Sequence, residues 1–281
     1  MTKKRKTVKK KVVTDKEINR NLLFWSIAIP LVLVLAIFAW QHRAGLSYLM
    51  IKWFEKEKVV AEDNGKYDVR NIELMHRHDD KIFGIDVSQY QGRVDWPQVL
   101  TINDQFPIDY IFIRATMGER AKDSKFKENW KAVKQNNKLR GAYHYFRPNE
   151  NSIRQANNFI KTVDLETGDL PPVLDIEEMP RNQSMDSLKT GLKRWLDQVE
   201  KHYKIKPILY SGDKYFADFL EKEFADYTLW IANYNFWVEK PKKHWNFWQF
   251  SEKGTVTGIK GPVDLNMFAG DIEELEDLCV K

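Results

Sequence analysis

A single cysteine, Cys279, stands in the whole chain of 281 residues. That count alone excludes an intramolecular disulfide framework, a cysteine-rich zinc site and a CxxC redox pair. A basic folded body is missing too, although the formal net charge is +5. Of the 45 Lys and Arg residues, nine lie within residues 1–20 (Lys3, Lys4, Arg5, Lys6, Lys9, Lys10, Lys11, Lys16 and Arg20), against only Asp15 and Glu17. The remainder carries 36 basic and 38 acidic side chains. Nucleic-acid-binding domains hold their basic excess on a folded surface, so no nucleic acid is expected as a partner. The basicity belongs to a tail, residues 1–21.

Charge then vanishes for nineteen residues, 22–40. As a helix rising 1.5 Å per residue this run spans about 28 Å, against a hydrocarbon core of ~30 Å. Trp25 and Trp40 sit near its two ends, where interfacial aromatics belong. The positive-inside rule keeps the lysine-rich tail in the cytoplasm and sends everything after residue 41 across the membrane. A cleaved signal peptide competes with this reading. Its apolar core would be shorter, roughly 7–15 residues, and no small-x-small site follows the run cleanly. A buried core helix fits less well, because the run is apolar on every side and follows a basic cluster. The expectation is an uncleaved transmembrane helix over 22–40 in the cytoplasmic membrane, with the N-terminus inside and the lipid bilayer as partner. Pro30 bends such a span without preventing it.

Residues 41–81 read as a charged stalk. Leu49, Met50, Trp53, Phe54 and Glu57 recur at helical spacing and predict a short amphipathic helix over 47–60. Residues 61–81 are polar and dense in charge. His76 and His78 read as solvated linker residues, since a metal site needs more ligands and no further histidine lies nearby.

From residue 83 the pattern changes. Short β-rich runs at 83–87, 110–115, 141–146, 172–176, 207–210, 229–234, 247–250 and 263–267 predict eight strands. Helical segments fit at 124–136, 152–164, 184–203 and 213–223, with a shorter one near 96–103. Runs such as Tyr110-Ile111-Phe112-Ile113 are apolar throughout, as in strands covered on both faces. Helices thin out after the fifth strand. The expected class is α/β: a small, irregular TIM-like (β/α)5(β)3 barrel over residues 82–281, preceded by one transmembrane helix.

Barrel chemistry gathers at the C-terminal ends of the strands. Those ends carry Asp86, Arg114, Tyr143, Tyr145, Asp175, Glu177, Tyr210, Trp230, Tyr234, Gln249 and Asp264. Asp175 and Glu177 are the most informative, because residues i and i+2 of a strand share a face. Both carboxyls enter one barrel mouth near Asp86. Crowded acids cannot all stay ionised, so one of them is expected to hold a proton near neutrality. A protonated acid beside a carboxylate is the pairing that cleaves glycosidic bonds. A hard cation held by Asp86, Asp175, Glu177 and Asp264 is the competing reading. Tyr143, Tyr145, Trp230, Tyr234 and Trp248 favour sugar, offering flat faces that a metal site does not need. No metal or cofactor is expected.

The motifs now assemble into a resemblance. Gly84-Ile85-Asp86-Val87-Ser88-Gln89-Tyr90-Gln91-Gly92, followed by Val94-Asp95-Trp96, resembles the opening of the glycoside hydrolase family 25 lysozymes, the Chalaropsis-type N-acetylmuramidases. Ile113-Arg114-Ala115-Thr116 with Gly118, Gly141-Ala142-Tyr143-His144-Tyr145-Phe146 and Leu174-Asp175-Ile176-Glu177 are similar to the family's next three strands. Leu229-Trp230-Ile231-Ala232-Asn233-Tyr234, Trp248-Gln249-Phe250-Ser251 and Val263-Asp264-Leu265-Asn266-Met267-Phe268 resemble the last three, so that residues 82 to 275 are covered. The resemblance implies hydrolysis of the β-1,4 bond between N-acetylmuramic acid and N-acetylglucosamine in peptidoglycan glycan strands. It gives Glu177 the general-acid role and Asp175 the task of orienting the substrate's 2-acetamido group, which attacks the anomeric carbon with retention. Asp86 and Asp264 become supporting acids. Arg114, Tyr143, Tyr145, Tyr210, Trp230, Tyr234, Trp248 and Gln249 become substrate-binding residues. Arg114 departs from a common Lys, Met117 from an acidic residue and Phe250 from a Tyr, which bears on glycan preference. A membrane anchor is a further departure and points to remodelling of the producer's own wall. Two other readings stand beside this one: a non-catalytic peptidoglycan-binding module, and a hydrolase of another acetamido-sugar polymer such as chitin.

Overall fold

The computed structural model describes residues 15–43, 46 and 65–281. Most of the basic tail and the amphipathic helix expected over 47–60 lie outside the described residues. The first helix, α1, runs Asp15–Gln41, so residues 15–21 of the tail are its opening turns. Its stretch Phe24–Gln41 is long and apolar enough to cross a membrane, and none of it is buried inside the protein. A second helix, α2, spans Gly65–Arg77.

Eight strands close into a barrel: β1 (Ile82–Val87), β4 (Tyr110–Met117), β6 (Leu139–Tyr145), β7 (Val173–Asp175), β8 (Ile208–Gly212), β9 (Thr228–Ala232), β10 (Phe247–Gly254) and β11 (Val263–Phe268). Each matches one of the eight runs expected from sequence. Strands β1, β4, β6, β7, β8, β9 and β10 are parallel to their neighbours in that order. Strand β11 closes the ring antiparallel to both β10 and β1. Two residues each suffice for β2 (Thr101–Ile102) and β3 (Phe106–Pro107), a separate ribbon, and for β5 (Ala121–Lys122), which pairs with β4.

Helices α3 (Phe126–Gln135), α4 (Ser152–Ile160) and α5 (Met185–Tyr203) follow β4, β6 and β7. Three short helical pieces, Asp213–Tyr215, Phe216–Leu220 and Glu221–Phe224, follow β8. The helix α6 (Ile272–Asp277) comes after the last strand. The helix expected near 96–103 is only a 3-10 turn, Trp96–Gln98. Pro97 starts a turn readily but has no N–H for a helix to continue through, and the chain turns directly into the β2–β3 ribbon.

Strand alternation sorts the core into two shells. Tyr110, Phe112, Val173, Ile208, Trp230, Phe247 and Phe268 point into the barrel. Ile111, Ile113, Leu174, Leu209, Ile231, Trp248 and Leu265 point outward into the helical layer. The interior is an aromatic plug: Phe112 stacks on Trp230 with centroids 4.4 Å apart, and Phe247 meets Phe112 edge-on at 5.4 Å. Bare backbone at Gly84 and Gly141 makes room for it. A Cβ at either position would stand 2.5 Å from a ring atom of Tyr110 or Phe112. The plug fills the barrel below its mouth, leaving one open end.

The segment read as a solvated stalk differs from expectation in its second half. Helix α2 packs on β10, with Ile72, Leu74 and Met75 buried. Much of its docking is polar: Arg70 Nη1 donates to the Phe250 carbonyl (2.8 Å), Asn71 Nδ2 to the Lys253 carbonyl (3.4 Å), and Thr255 Oγ1 to Asp68 (3.1 Å). Its apolar stripe, with Ile72 and Met75 three residues apart, is set among so many charged and amide side chains that the composition resembles a linker. His76 lies against the Phe106 ring at 4.9 Å, and His78 Nε2 is 2.6 Å from the Glu239 carbonyl oxygen.

Candidate active site

A cleft of about 240 Å³ opens at the barrel mouth. Asp86, Arg114, Tyr143, Tyr145, Asp175, Glu177, Tyr210, Trp230, Tyr234, Gln249 and Asp264 all line it. Of the twelve residues expected there, Trp248 is the exception. It is fully buried in the outer shell, and its Nε1 donates to the Asn233 carbonyl at 3.0 Å. The alternation along β10 decides this: Phe247 and Gln249 face inward, so Trp248 and Phe250 face outward. The Phe250 departure therefore falls in the packing against α2 and away from the cleft.

Asp264 reaches the mouth by a route the strand-end argument did not contain. Because β11 is antiparallel, its N-terminal end lies at the barrel's C-terminal rim. The register pairs Asp264 directly with Asp86. Asp175 is the last residue of β7, and Glu177 stands beyond the strand, exposed at the cleft mouth. Tyr234 likewise follows the end of β9 on the face shared with Trp230 and Ala232.

One network fixes the acids. Asp86 Oδ2 accepts from Gln249 Nε2 at 2.6 Å and from Asn266 Nδ2 at 2.8 Å. The Tyr210 and Tyr234 hydroxyls donate to Gln249 Oε1, at 2.6 and 2.5 Å. Trp230 Nε1 donates to Asn266 Oδ1 at 2.8 Å. An indole N–H can only donate, so it locks the Asn266 amide with its NH2 toward Asp86. Arg114 Nε donates to Asp123 at 3.1 Å, and its guanidinium lies 4.8 Å from the Tyr90 ring centroid. The Tyr145 hydroxyl donates to Glu178 at 3.1 Å.

Burial sets the protonation. Desolvation pushes Asp86 up to about 6, against the hydrogen bonds from Asn266, Gln249 and Asp264. Asp264 is pushed up to about 9, by burial first and then by the Asp86 charge. At neutral pH Asp264 therefore keeps its proton and donates it to Asp86. Asp175 and Glu177 are hydrogen-bonded to one another. Burial, then the Glu177 and Asp86 charges, raise Asp175 well above the carboxylate range. Glu177, exposed at the mouth, is also raised, chiefly because its carboxyl turns into the cleft and loses water there, but the bond to Asp175 opposes the shift. Both carboxyls of the pair are thus raised, and the pair holds a proton near neutrality, with Asp175 its more deeply buried member. Its Oδ1 is buried without a hydrogen-bond partner.

The acids are partnered to each other and to amides instead of splayed around a cation-sized cavity. Among the described residues, no group of three or more His, Cys, Asp or Glu is disposed to hold a metal ion. Sequence reasoning passed over Ser88, Tyr90, Gln91 and Glu252, which also line the cleft. Ser88, Tyr90 and Gln91 belong to the opening motif, and Tyr90 is 79% exposed. An aromatic in a motif of turn-forming residues was the available signal.

Comparison with known proteins agrees with this geometry. The family model described as Glycosyl hydrolases family 25 matches residues 85–259. The uncharacterized protein YegX of Escherichia coli K12 is 43% identical over 199 residues, 69% of this chain and 72% of that one. Lysozyme M1 of Streptomyces globisporus is 31% identical over 209 residues, 68% and 69% of the two chains. A family 25 glycosyl hydrolase structure from Bacillus anthracis superposes with a TM-score of 0.63 at 29% identity, covering 71% of this chain and 94% of that one. With the acid pair, the aromatic cleft and the family match in agreement, the chain belongs to glycosyl hydrolase family 25 and is a glycoside hydrolase of the lysozyme type.

Proposed function

We propose that this protein cleaves the β-1,4 bond between N-acetylmuramic acid and N-acetylglucosamine in peptidoglycan, with retention, from a membrane anchor, and so remodels its producer's wall. The observation that carries the reading is the close pair of carboxyls, Asp175 and Glu177, lining one aromatic-walled cleft. The N–H of a substrate 2-acetamido group seated in that cleft donates to the Asp175 carboxyl. Accepting that hydrogen bond favours the Asp175 carboxylate. The proton held by the pair then rests on Glu177, which protonates the leaving oxygen. The oriented acetamido oxygen attacks the anomeric carbon, and Glu177 next draws a proton from water.

The close spacing of the pair supports retention, because it leaves Asp175 no room to act as an inverting base. Inversion needs carboxyls about 6.5–9.5 Å apart with a water between them, whereas Asp175 and Glu177 are hydrogen-bonded. Asp86 is poorly suited to act as a protein nucleophile, because its carboxylate already accepts from Gln249, Asn266 and Asp264. Its role, with Asp264, is to hold fixed charge beneath the developing cation. Tyr143, Tyr145, Tyr210, Trp230, Tyr234, Gln249 and Arg114 shape the sugar-binding walls.

Digestion of purified sacculi with residues 62–281, followed by mass spectrometry, is expected to release fragments ending in reducing N-acetylmuramic acid. Fragments ending in reducing N-acetylglucosamine, or retention of glycan without cleavage, would overturn the reading. Faster cleavage of chitin oligomers than of wall would redirect it to another acetamido-sugar polymer. The apolar Phe24–Gln41 stretch and the lysines before it support the anchor. Protease added outside intact spheroplasts is expected to digest the barrel and spare the tail, and a protected barrel would refute that orientation.

A further inference from the structure

The catalytic cleft is small for a polymer. Its volume of about 240 Å³ falls below the ~300–1,000 Å³ typical of ligand pockets. A second groove of about 580 Å³ begins where the cleft ends, and Tyr234 and Glu252 line both. Its remaining wall includes Phe236, Trp237, Phe250 and Arg70. The cavity on the other side of the barrel, around Met117 and Arg147, contains no aromatic residue. Trp237 is 83% exposed and Phe236 53%, with their rings edge-on at 5.3 Å. Large exposed aromatics beside a sugar cleft are costly to leave in water.

These rings are held in place. Backbone N–H groups of Asn235 and Trp237 donate to the side chains of Asn233 and Asn235, each at 3.0 Å. Helix α2 adds the rest. Arg70 Nη2 donates to the carbonyls of Asn235 (3.2 Å) and Val238 (3.4 Å), while Nη1 ties the same guanidinium to β10 through Phe250. Arg77 pairs with Glu239 at 2.7 Å. Helix α2 precedes the residues that the family model matches, 85–259.

Resting on the glycan-hydrolase reading above, we infer that the groove between α2 and the Tyr234–Glu239 loop is an extension of the substrate site. In it Trp237 stacks on a further N-acetylated sugar of the same strand, and Arg70 is the positioning residue that holds the loop. The pre-barrel helix thereby sets a preference for long strands. The test compares kcat/KM on long, peptide-free glycan strands with that on the shortest oligosaccharide cleaved. In Trp237→Ala the long-to-short ratio is expected to fall roughly five- to tenfold, carried by KM, as loss of one aromatic stacking contact implies. Arg70→Ala should shift the same ratio in the same direction, and the Arg70→Ala/Trp237→Ala double variant should fall no further than Trp237→Ala. An unchanged ratio in Trp237→Ala, or additive losses in the double variant, overturns the inference. Trp237 is largely solvent-exposed, so its variant tests the groove even where Arg70→Ala fails to fold. If Glu177→Gln is inert and the Trp237→Ala ratio is unchanged, the groove alone is refuted. An active Glu177→Gln refutes the reading beneath it.

Discussion

Glu177→Gln is expected to lower the release of reducing ends from sacculi by about 10³-fold, within the ~10²–10⁴-fold range of general acid–base catalysis. The amide cannot protonate the leaving oxygen or draw a proton from water, so both halves of the reaction suffer. The fold should survive the change. Glu177 lies beyond the end of β7 and is exposed at the cleft mouth, where an isosteric amide disturbs no packing. Unfolding temperature at neutral pH is therefore expected to stay equal or rise, because a carboxyl with a raised pKa has been removed from a crowd of acids. Circular dichroism melts run beside the reducing-end assay separate the two effects. Loss of activity accompanied by loss of the cooperative melt would mean that Glu177 is structural.

The parts of the molecule that were legible in sequence share one property: their hydrophobic period and their chemistry agree. Val173-Leu174-Asp175 shows this most clearly, since an acid ends an apolar strand and only a used or partnered acid survives there. Trp248 was misplaced although its neighbour contained the answer. With Gln249 in the cleft, a strand's period of two sends Trp248 to the other face. The run Phe247-Trp248-Gln249-Phe250 is apolar on both faces, which hides the phase. Asp264 was found for an incomplete reason, because no local pattern reveals that β11 runs against its neighbours. Helix α2 was missed because its short apolar stripe, Ile72 and Met75, is diluted by Glu73 and by Asp68, Arg70 and Asn71, whose hydrogen-bond partners among residues 250–255 no local pattern reveals. The upward shift of the Asp175 and Glu177 carboxyls was also out of reach. Burial sets it, and burial belongs to the fold.

That shift makes Asp175→Asn the second large effect, with opposite signs for activity and stability. The asparagine keeps the shape and can still accept from an acetamido N–H, but it brings no negative charge to the oxazolinium-like cation formed on attack. Removing one preorganised electrostatic partner of this kind costs about 10²–10³-fold in rate. Stability moves the other way. Asp175 is buried and its folded pKa is raised well above the unfolded value of 3.8. The folded state binds this proton more tightly than the unfolded chain does, so the associated stability is complete below about pH 4 and is lost as pH rises toward the folded pKa. Asparagine carries no such loss. Wild type and variant should thus melt closest together near pH 4, and the variant should gain progressively through pH 8, by roughly 1–3 kcal/mol at the upper end. Asp86, raised to about 6, and Asp264, raised to about 9, slope in the same direction and remain in both proteins, so the difference between the melting curves reports Asp175 together with the Glu177 and Asp86 charges coupled to it. Parallel curves from pH 4 to 8 would show that Asp175 is ionised in the folded protein and would refute the upward shift assigned to its carboxyl.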